Sequence, residues 1–389
     1  MILLVKLDHG TPSKSKNGPD SLGLLKLSAY FKSKNLETRL VSCRKKLFLK
    51  EEPEAVCYSP LFGFRLKKDL QYISAFQKRF PRSKLMIGGV QASLRPETFK
   101  RYFPKAEIAV GLQDWDTISP DYAIAGKEFS YGFTSRGCVR RCEWCIVPKT
   151  EGKIRTIDGW KSTLGEGHTF FSCMDNNILA SGAPWFESVM SELEARKIKV
   201  DFNQALDCRI FVKEGFAEIF KRYLHVFQKL RFAWDASSVD KYALKTLELF
   251  ERHGLKTSGQ DTFLMLYGNG EDPGEIWRRL KLLTSYDQKI KPIRFLDLKT
   301  GEGAGGWPKA FAGYMALVAG VNNVVTPGQF NEGLFGRNEG EFLNCLRLGS
   351  NVVRVRKTIG RDAFVKGSKA YDMLFDFIRK GPSKCAKSI

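Results

Sequence analysis

The sequence predicts an α/β chain built in two series, a doubly wound parallel sheet followed by an open, partial barrel of six strand–helix steps. Three observations predict it. Short apolar runs alternate with amphipathic stretches to about residue 300, the alternation lapses over residues 112–130, and 389 residues exceed one compact core of ordinary size. The expected domains are therefore 1–125, 126–300 and a basic extension, 301–389.

In the first series the strand candidates are Ile2 to Leu7, Thr38 to Cys43, Ala55 to Tyr58, Lys84 to Ile87 and Glu107 to Val110. Between them Ser21 to Lys34 and Lys68 to Phe80 carry apolar residues at helical spacing. This alternation reads as a flavodoxin-like sheet, whose ligands sit beyond the carboxyl ends of the strands. Here those ends are the Asp8 to Asp20 loop, Ser59 to Phe62, and Gly88-Gly89-Val90-Gln91. Gly88 and Gly89 would let a ligand approach the backbone closely, or serve a tight turn.

Residues 112–130, with Pro120 and small-residue turns, read as the linker. The second series has strand candidates Tyr131 to Thr134, Thr169 to Cys173, Val200 to Gln204, Leu230 to Trp234, Thr262 to Tyr267 and Pro292 to Leu298. Its helices are Pro184 to Lys197, Val212 to Tyr223, Asp240 to His253 and Gly274 to Tyr286. Six steps fall short of the closed eightfold barrel, so a partial (βα)6 TIM-like barrel is the simplest closure. Thr300 to Trp307 is a glycine-rich loop.

Composition narrows the function classes. Hydrophobic residues make up 43% and charged residues 27%, which excludes a disordered chain. Lys plus Arg is 63 against 42 Asp plus Glu, a net charge of +21, and base is dense from Arg354 to Lys387. Nucleic acid or another phosphorylated substrate is a natural partner for such a surface. Met1 to Asp8 lacks a basic leader, and no apolar run is long enough to span a bilayer, so the expected location is the cytoplasm.

Nine cysteines is an odd count, and three of them crowd into Cys138-Val-Arg-Arg-Cys142-Glu-Trp-Cys145 while six are scattered. Reduced thiols acting as ligands fit this better than a disulfide framework. The cluster follows the first strand of the second series, at the end where barrel enzymes place their active sites. Three thiolates can hold three irons of a cubane cluster and leave the fourth iron open to an exogenous chelator. A zinc site would need a fourth ligand such as His168 or Cys173, and a ferredoxin-type carrier would need a fourth cysteine at its own spacing.

Cys-x3-Cys-x-aromatic-Cys, with Trp144 in the aromatic position and Gly137 before it, resembles the signature of the radical S-adenosylmethionine enzymes. The resemblance implies a 4Fe-4S cluster on Cys138, Cys142 and Cys145, with S-adenosyl-L-methionine on the fourth iron, and a one-electron donor of the flavodoxin or ferredoxin type. Reductive cleavage would give a 5′-deoxyadenosyl radical that abstracts hydrogen. Residues 1–111, with Leu22-Gly23-Leu24-Leu25 and Leu85-Met-Ile-Gly88-Gly89, are similar to the cobalamin-binding domain fused ahead of many of these enzymes. They depart from it in lacking the Asp-x-His-x-x-Gly motif, because Asp8-His9-Gly10 is contiguous. Family members without the motif occur with and without cobalamin.

The resemblance also implies site residues. Asp175, in Phe171-Ser-Cys-Met-Asp175-Asn176-Asn177, would receive the methionine amino group or act as a turn carboxylate. Asp235 ends the fourth strand, where the family contacts ribose, and Gly268 belongs to a fifth-strand motif that lies along adenine. Asn203, Gln204, Asp207 and Arg209 bring four polar side chains to the third strand end, and Gln204, Asp207 and Arg209 are candidate substrate contacts. No residue is assigned to catalysis. The basic balance favours an RNA-like anionic substrate and methyl transfer. Methylthiolation would want three more cysteines in the first domain, which has only Cys43 and Cys57. The rival class is a non-enzymatic, metal-stabilised nucleic-acid binding protein.

Overall fold

The computed structural model describes residues 1–7, 21–44, 49–213, 215–257, 262–298, 309–321, 339, 345 and 366–380. The chain is mixed α/β with several parallel sheets and divides into two compact units, Met1–Gln204 and Ala205–Ile389.

The first unit opens with β1 (Ile2–Lys6), α1 (Leu22–Ser33), β2 (Thr38–Ser42), β3 (Ala55–Tyr58), α2 (Leu66–Arg79) and β4 (Lys84–Ile87). It continues with α3 (Gly89–Leu94), α4 (Pro96–Tyr102) and β5 (Glu107–Ile108). The five strands pair in parallel in the order β2-β1-β3-β4-β5. β1 is apolar at nearly every position because both its faces are covered. Leu3, Val5 and Leu7 enter one core with Ile73, Phe76 and Phe99, whereas Ile2 and Leu4 enter another with Leu24, Leu27 and Cys57. The strand order reverses between β1 and β3, and their carboxyl ends flank the place where such sheets receive ligands.

Within residues 112–130, expected as a linker, Leu112 is exposed but the stretch from Pro120 onward carries buried residues. α5 (Tyr122–Ala125) is capped by Asp121, which accepts from the Ile124 N–H and pairs with Lys32 at 2.7 Å. Tyr122 shares a core with Leu25, Phe129 and Tyr131, and its hydroxyl reaches the carbonyls of Tyr131 and Thr163. β6 (Ser130–Gly132), β7 (Ser135–Arg136), α6 (Val147–Thr150), β8 (Arg155–Thr156), β9 (Phe170–Cys173), α7 (Ala183–Ala195) and β10 (Lys199–Phe202) follow. β10, β9 and β6 are parallel neighbours, and β7 pairs antiparallel with β8.

The second unit carries β11 (Leu206–Asp207), α8 (Cys208–Phe211), α9 (Phe216–Arg222), β12 (Phe227–Lys229), β13 (Arg231–Ala233), α10 (Asp240–His253), β14 (Thr262–Tyr267), α11 (Pro273–Ser285) and β15 (Lys289–Arg294). β11, β13, β14 and β15 form a parallel sheet in that order. β15 begins three residues before the expected Pro292, and Arg294 is exposed on it. α12 (Lys309–Val321) and α13 (Lys369–Lys380) add an aromatic core in which Trp277 meets Tyr314 at 4.8 Å and Phe377 at 5.6 Å. The Asp8 to Asp20 loop, Thr300 to Trp307 and most of the basic segment from Arg354 onward lie outside the described residues.

Candidate cofactor site

The cysteine loop starts where β6 turns into β7. Asp175, just past β9, is buried and accepts from the Thr134 N–H at 2.6 Å, the Thr134 hydroxyl at 2.6 Å and the Ser135 hydroxyl at 2.7 Å. Burial raises its carboxyl above the ordinary carboxylate range, and these hydrogen bonds pull the other way. Both its oxygens are thus engaged in bracing the corner from which the loop springs.

The loop is closed by its own backbone. β7 pairs with β8 through Ser135 with Thr156 and Arg136 with Arg155, and the Cys138 N–H donates to the Gly152 carbonyl at 3.1 Å. Gly137 has φ +81°, and a Cβ there would stand 2.1 Å from the Lys153 carbonyl oxygen, so the closure requires glycine. Glu151 ties three strands of chain together. Its carboxylate pairs with the buried Arg136 at 3.1 Å and accepts from the Gly137 N–H at 3.3 Å and the Asn176 amide at 2.6 Å. The Arg136 guanidinium also lies 3.3 Å from the Phe133 ring centroid.

Cys138, Cys142 and Cys145 are partly exposed, and none is in a disulfide. The Cys138 sulfur accepts from the Arg140 N–H at 3.3 Å and the Asn177 side-chain amide at 3.4 Å. Cys145 is held by its N–H to the Cys142 carbonyl at 3.0 Å, and α6 begins at Val147, after the N-cap Ile146. The donor set fits an iron–sulfur cluster in its chemistry: three soft thiols on one closed loop, with N–H groups directed at the Cys138 sulfur. Among the described residues no three His, Cys, Asp or Glu side chains gather about a single ion. A cubane asks for one thiolate per iron rather than three on one ion. His168 is occupied with the Ser130 hydroxyl at 2.9 Å, and Cys173 is fully buried with its thiol pushed well up by desolvation.

Gly88 and Gly89 lie in the same unit. Gly89 opens α3 with φ +82°, and a Cβ there would come 2.5 Å from the Ser59 hydroxyl, so Gly89 serves both the turn and a close approach of chain segments, whereas Gly88 is extended and would admit a Cβ. The Ser21 hydroxyl and Gln91 Oε1 are buried at this edge with no hydrogen-bond partner among the described residues. α3 packs against α6, which brings the Gly89 edge beside the end of the cysteine loop. No spacing in the sequence announced that contact.

Gln204, the last residue of the first unit, is exposed. In the second unit Asp207 caps α8 through the Arg209 N–H and binds the Arg209 guanidinium at 2.7 and 3.1 Å. Asp235, at the end of β13, accepts from the Leu266 N–H at 3.2 Å, and burial pushes its carboxyl up to about 6. Gly268 follows β14 with φ +81°. Asp240 opens α10 as its first residue rather than capping it, the N-cap position being Val239. Its carboxylate accepts instead from Trp234 at 2.7 Å and Arg279 at 3.1 Å and meets Arg278. Arg279, fully buried, also binds Glu271 and the Ser237 hydroxyl, a network that sequence reasoning missed because its members come from two stretches, 234–240 and 271–279, some thirty residues apart.

No protein-family model matches this chain, and no curated protein matches it.

Proposed function

We infer that the protein is a radical S-adenosylmethionine enzyme with a flavodoxin-like N-terminal sheet and a partial (βα)6 TIM-like barrel. The observation that carries this reading is the Cys-x3-Cys-x-Trp-Cys loop, closed by β7 and β8 beside the carboxyl end of the parallel strand β6. The β2-β1-β3-β4-β5 order supports the first half of the fold, and the parallel runs β10-β9-β6 and β11-β13-β14-β15 support the second.

Cys138, Cys142 and Cys145 would hold a 4Fe-4S cluster, which when bound supplies the electron that cleaves S-adenosyl-L-methionine reductively. Asp175 fixes the corner at Thr134 and Ser135, and Glu151 fixes the loop exit against its entry. The Asn177 amide, donating to the Cys138 sulfur, offsets negative charge there. Asp235 and Gly268 are the proposed contacts for ribose and adenine, and Gln204, Asp207 and Arg209 those for substrate. The edge at Gly88 and Gly89 is the proposed place for cobalamin, with methyl transfer to an RNA-like substrate the favoured reaction. Cys43 and Cys57, both buried, offer no second cluster. A flavodoxin- or ferredoxin-type donor and a cytoplasmic location complete the proposal.

The test is anaerobic reconstitution with iron and sulfide, reduction, and mass spectrometry of the products of S-adenosylmethionine, with and without cobalamin. Deoxyadenosine supports the radical reading, and cobalamin-dependent S-adenosylhomocysteine supports methyl transfer. Alanine at all three cysteines should abolish bound iron and its visible absorbance. Zinc in place of iron, with neither product, overturns the proposal in favour of a metal-stabilised nucleic-acid binding protein.

A further inference from the structure

Exposed apolar side chains of the first unit collect around α3. On one side Phe62 and Phe64, 42% and 59% exposed, stack on each other with ring centroids 5.4 Å apart and planes 26° from parallel. Gly63 between them lies against Gln91 and Arg95 at the end of α3. On the other side the exposed Val110 and Leu112 bracket Gly111, whose N–H donates to the Ser93 hydroxyl of α3 at 2.9 Å. α3 in turn packs against α6 at the end of the cysteine loop.

Leaving a phenylalanine half exposed forfeits about 1 kcal/mol of burial, and two rings stacked on each other at the surface mark a contact site. Charge says what kind of contact. Residues 59–68 contain no acid, Lys67 and Lys68 are exposed at the start of α2, Arg141 and Lys149 are exposed on the cysteine side, and the whole chain carries +21. Flat rings beside cations suit unpaired bases joined by phosphates, because every base has a face to stack and every linkage an anion. A duplex keeps its base faces covered.

We propose that Phe62 and Phe64, with Lys67 and Lys68, form a base-stacking platform for single-stranded nucleic acid that leads a substrate strand past α3 toward the cysteine loop. This rests on the reading of an anionic, RNA-like substrate and specifies how that substrate is held.

The probe is a labelled single-stranded RNA of about 20 nucleotides, long enough to cross one such groove. Fluorescence anisotropy over a series of salt concentrations compares the full-length protein with F62A/F64A, F64W and K67Q/K68Q, each checked for an unchanged melting temperature. F62A/F64A should weaken binding about tenfold without changing the salt slope, F64W should retain it, and K67Q/K68Q should flatten the slope. Absence of RNA binding, equal affinity of F62A/F64A and the parent, or an equal loss on duplex RNA overturns the proposal. So does self-association, or capture by anionic vesicles, that depends on the two rings while RNA binding does not. Iron content of the parent protein is read in the same preparation, so loss of the cluster reading and loss of the platform are separate results.

Discussion

A methyl group at position 137 has nowhere to go. With the Lys153 carbonyl 2.1 Å from the Cβ position and φ at +81°, Gly137→Ala must open the loop closure, and we expect a loss of about 2 kcal/mol or more in urea unfolding together with reduced iron after reconstitution. Asp235 makes a pH prediction. Its carboxyl is lifted from 3.8 to about 6 by burial, against the pull of the Leu266 N–H, Arg209 and Arg279 and with the push of Asp207. Between those values the folded chain holds a proton that the unfolded chain has released, so stability falls as pH rises through the window and is level above it. The difference is worth about 3 kcal/mol, and Asp235→Asn should remove this fall in the unfolding midpoint measured against pH. A midpoint whose pH profile is the same in both proteins would contradict the assignment.

Among elements, Arg279 joins α11 to the start of α10 and to the loop after β14. Arg279→Met leaves Glu271 without a cation inside the second unit, while Asp240 keeps Arg278, and chemical denaturation should show a loss of about 3 kcal/mol, partly recovered in the double variant with Glu271→Gln. The strands and longer helices were legible because their signals are periodic and local. Ala55–Tyr58, Lys84–Ile87 and Thr262–Tyr267 fall where the apolar runs place them, and Asp240–His253 and Pro273–Ser285 follow their amphipathic spacing. α3 and α4 were not legible, since six- and seven-residue helices joined at Arg95 carry too short a repeat. The packing around Tyr122 was hidden for another reason: it reads as an isolated aromatic until its hydroxyl meets two carbonyls from other segments. At the candidate site the cysteines declared themselves by spacing. Glu151 did not, because a lone glutamate in a loop looks solvated until Arg136, Gly137 and Asn176 converge on it.

For the molecule as a whole, the net charge of +21 predicts binding to polyanions with a linear dependence on the logarithm of salt concentration. The slope, measured with heparin or RNA at several KCl concentrations, counts the phosphates or sulfates engaged, and a flat line would mean that the charge is spread too thinly to act together. No described helix is long and apolar enough to cross a membrane. The closure of the cysteine loop has a further meaning at this scale. β7 and β8, the Cys138 to Gly152 bond and Glu151 close the ring, and Asn177 on the Cys138 sulfur and α6 against α3 tie it to the rest of the first unit. A change of length between Cys138 and Gly152 would therefore be felt on both sides, at the pairing of β7 with β8 and at the seam of α6 with α3, so the loop and the elements that carry it must vary together.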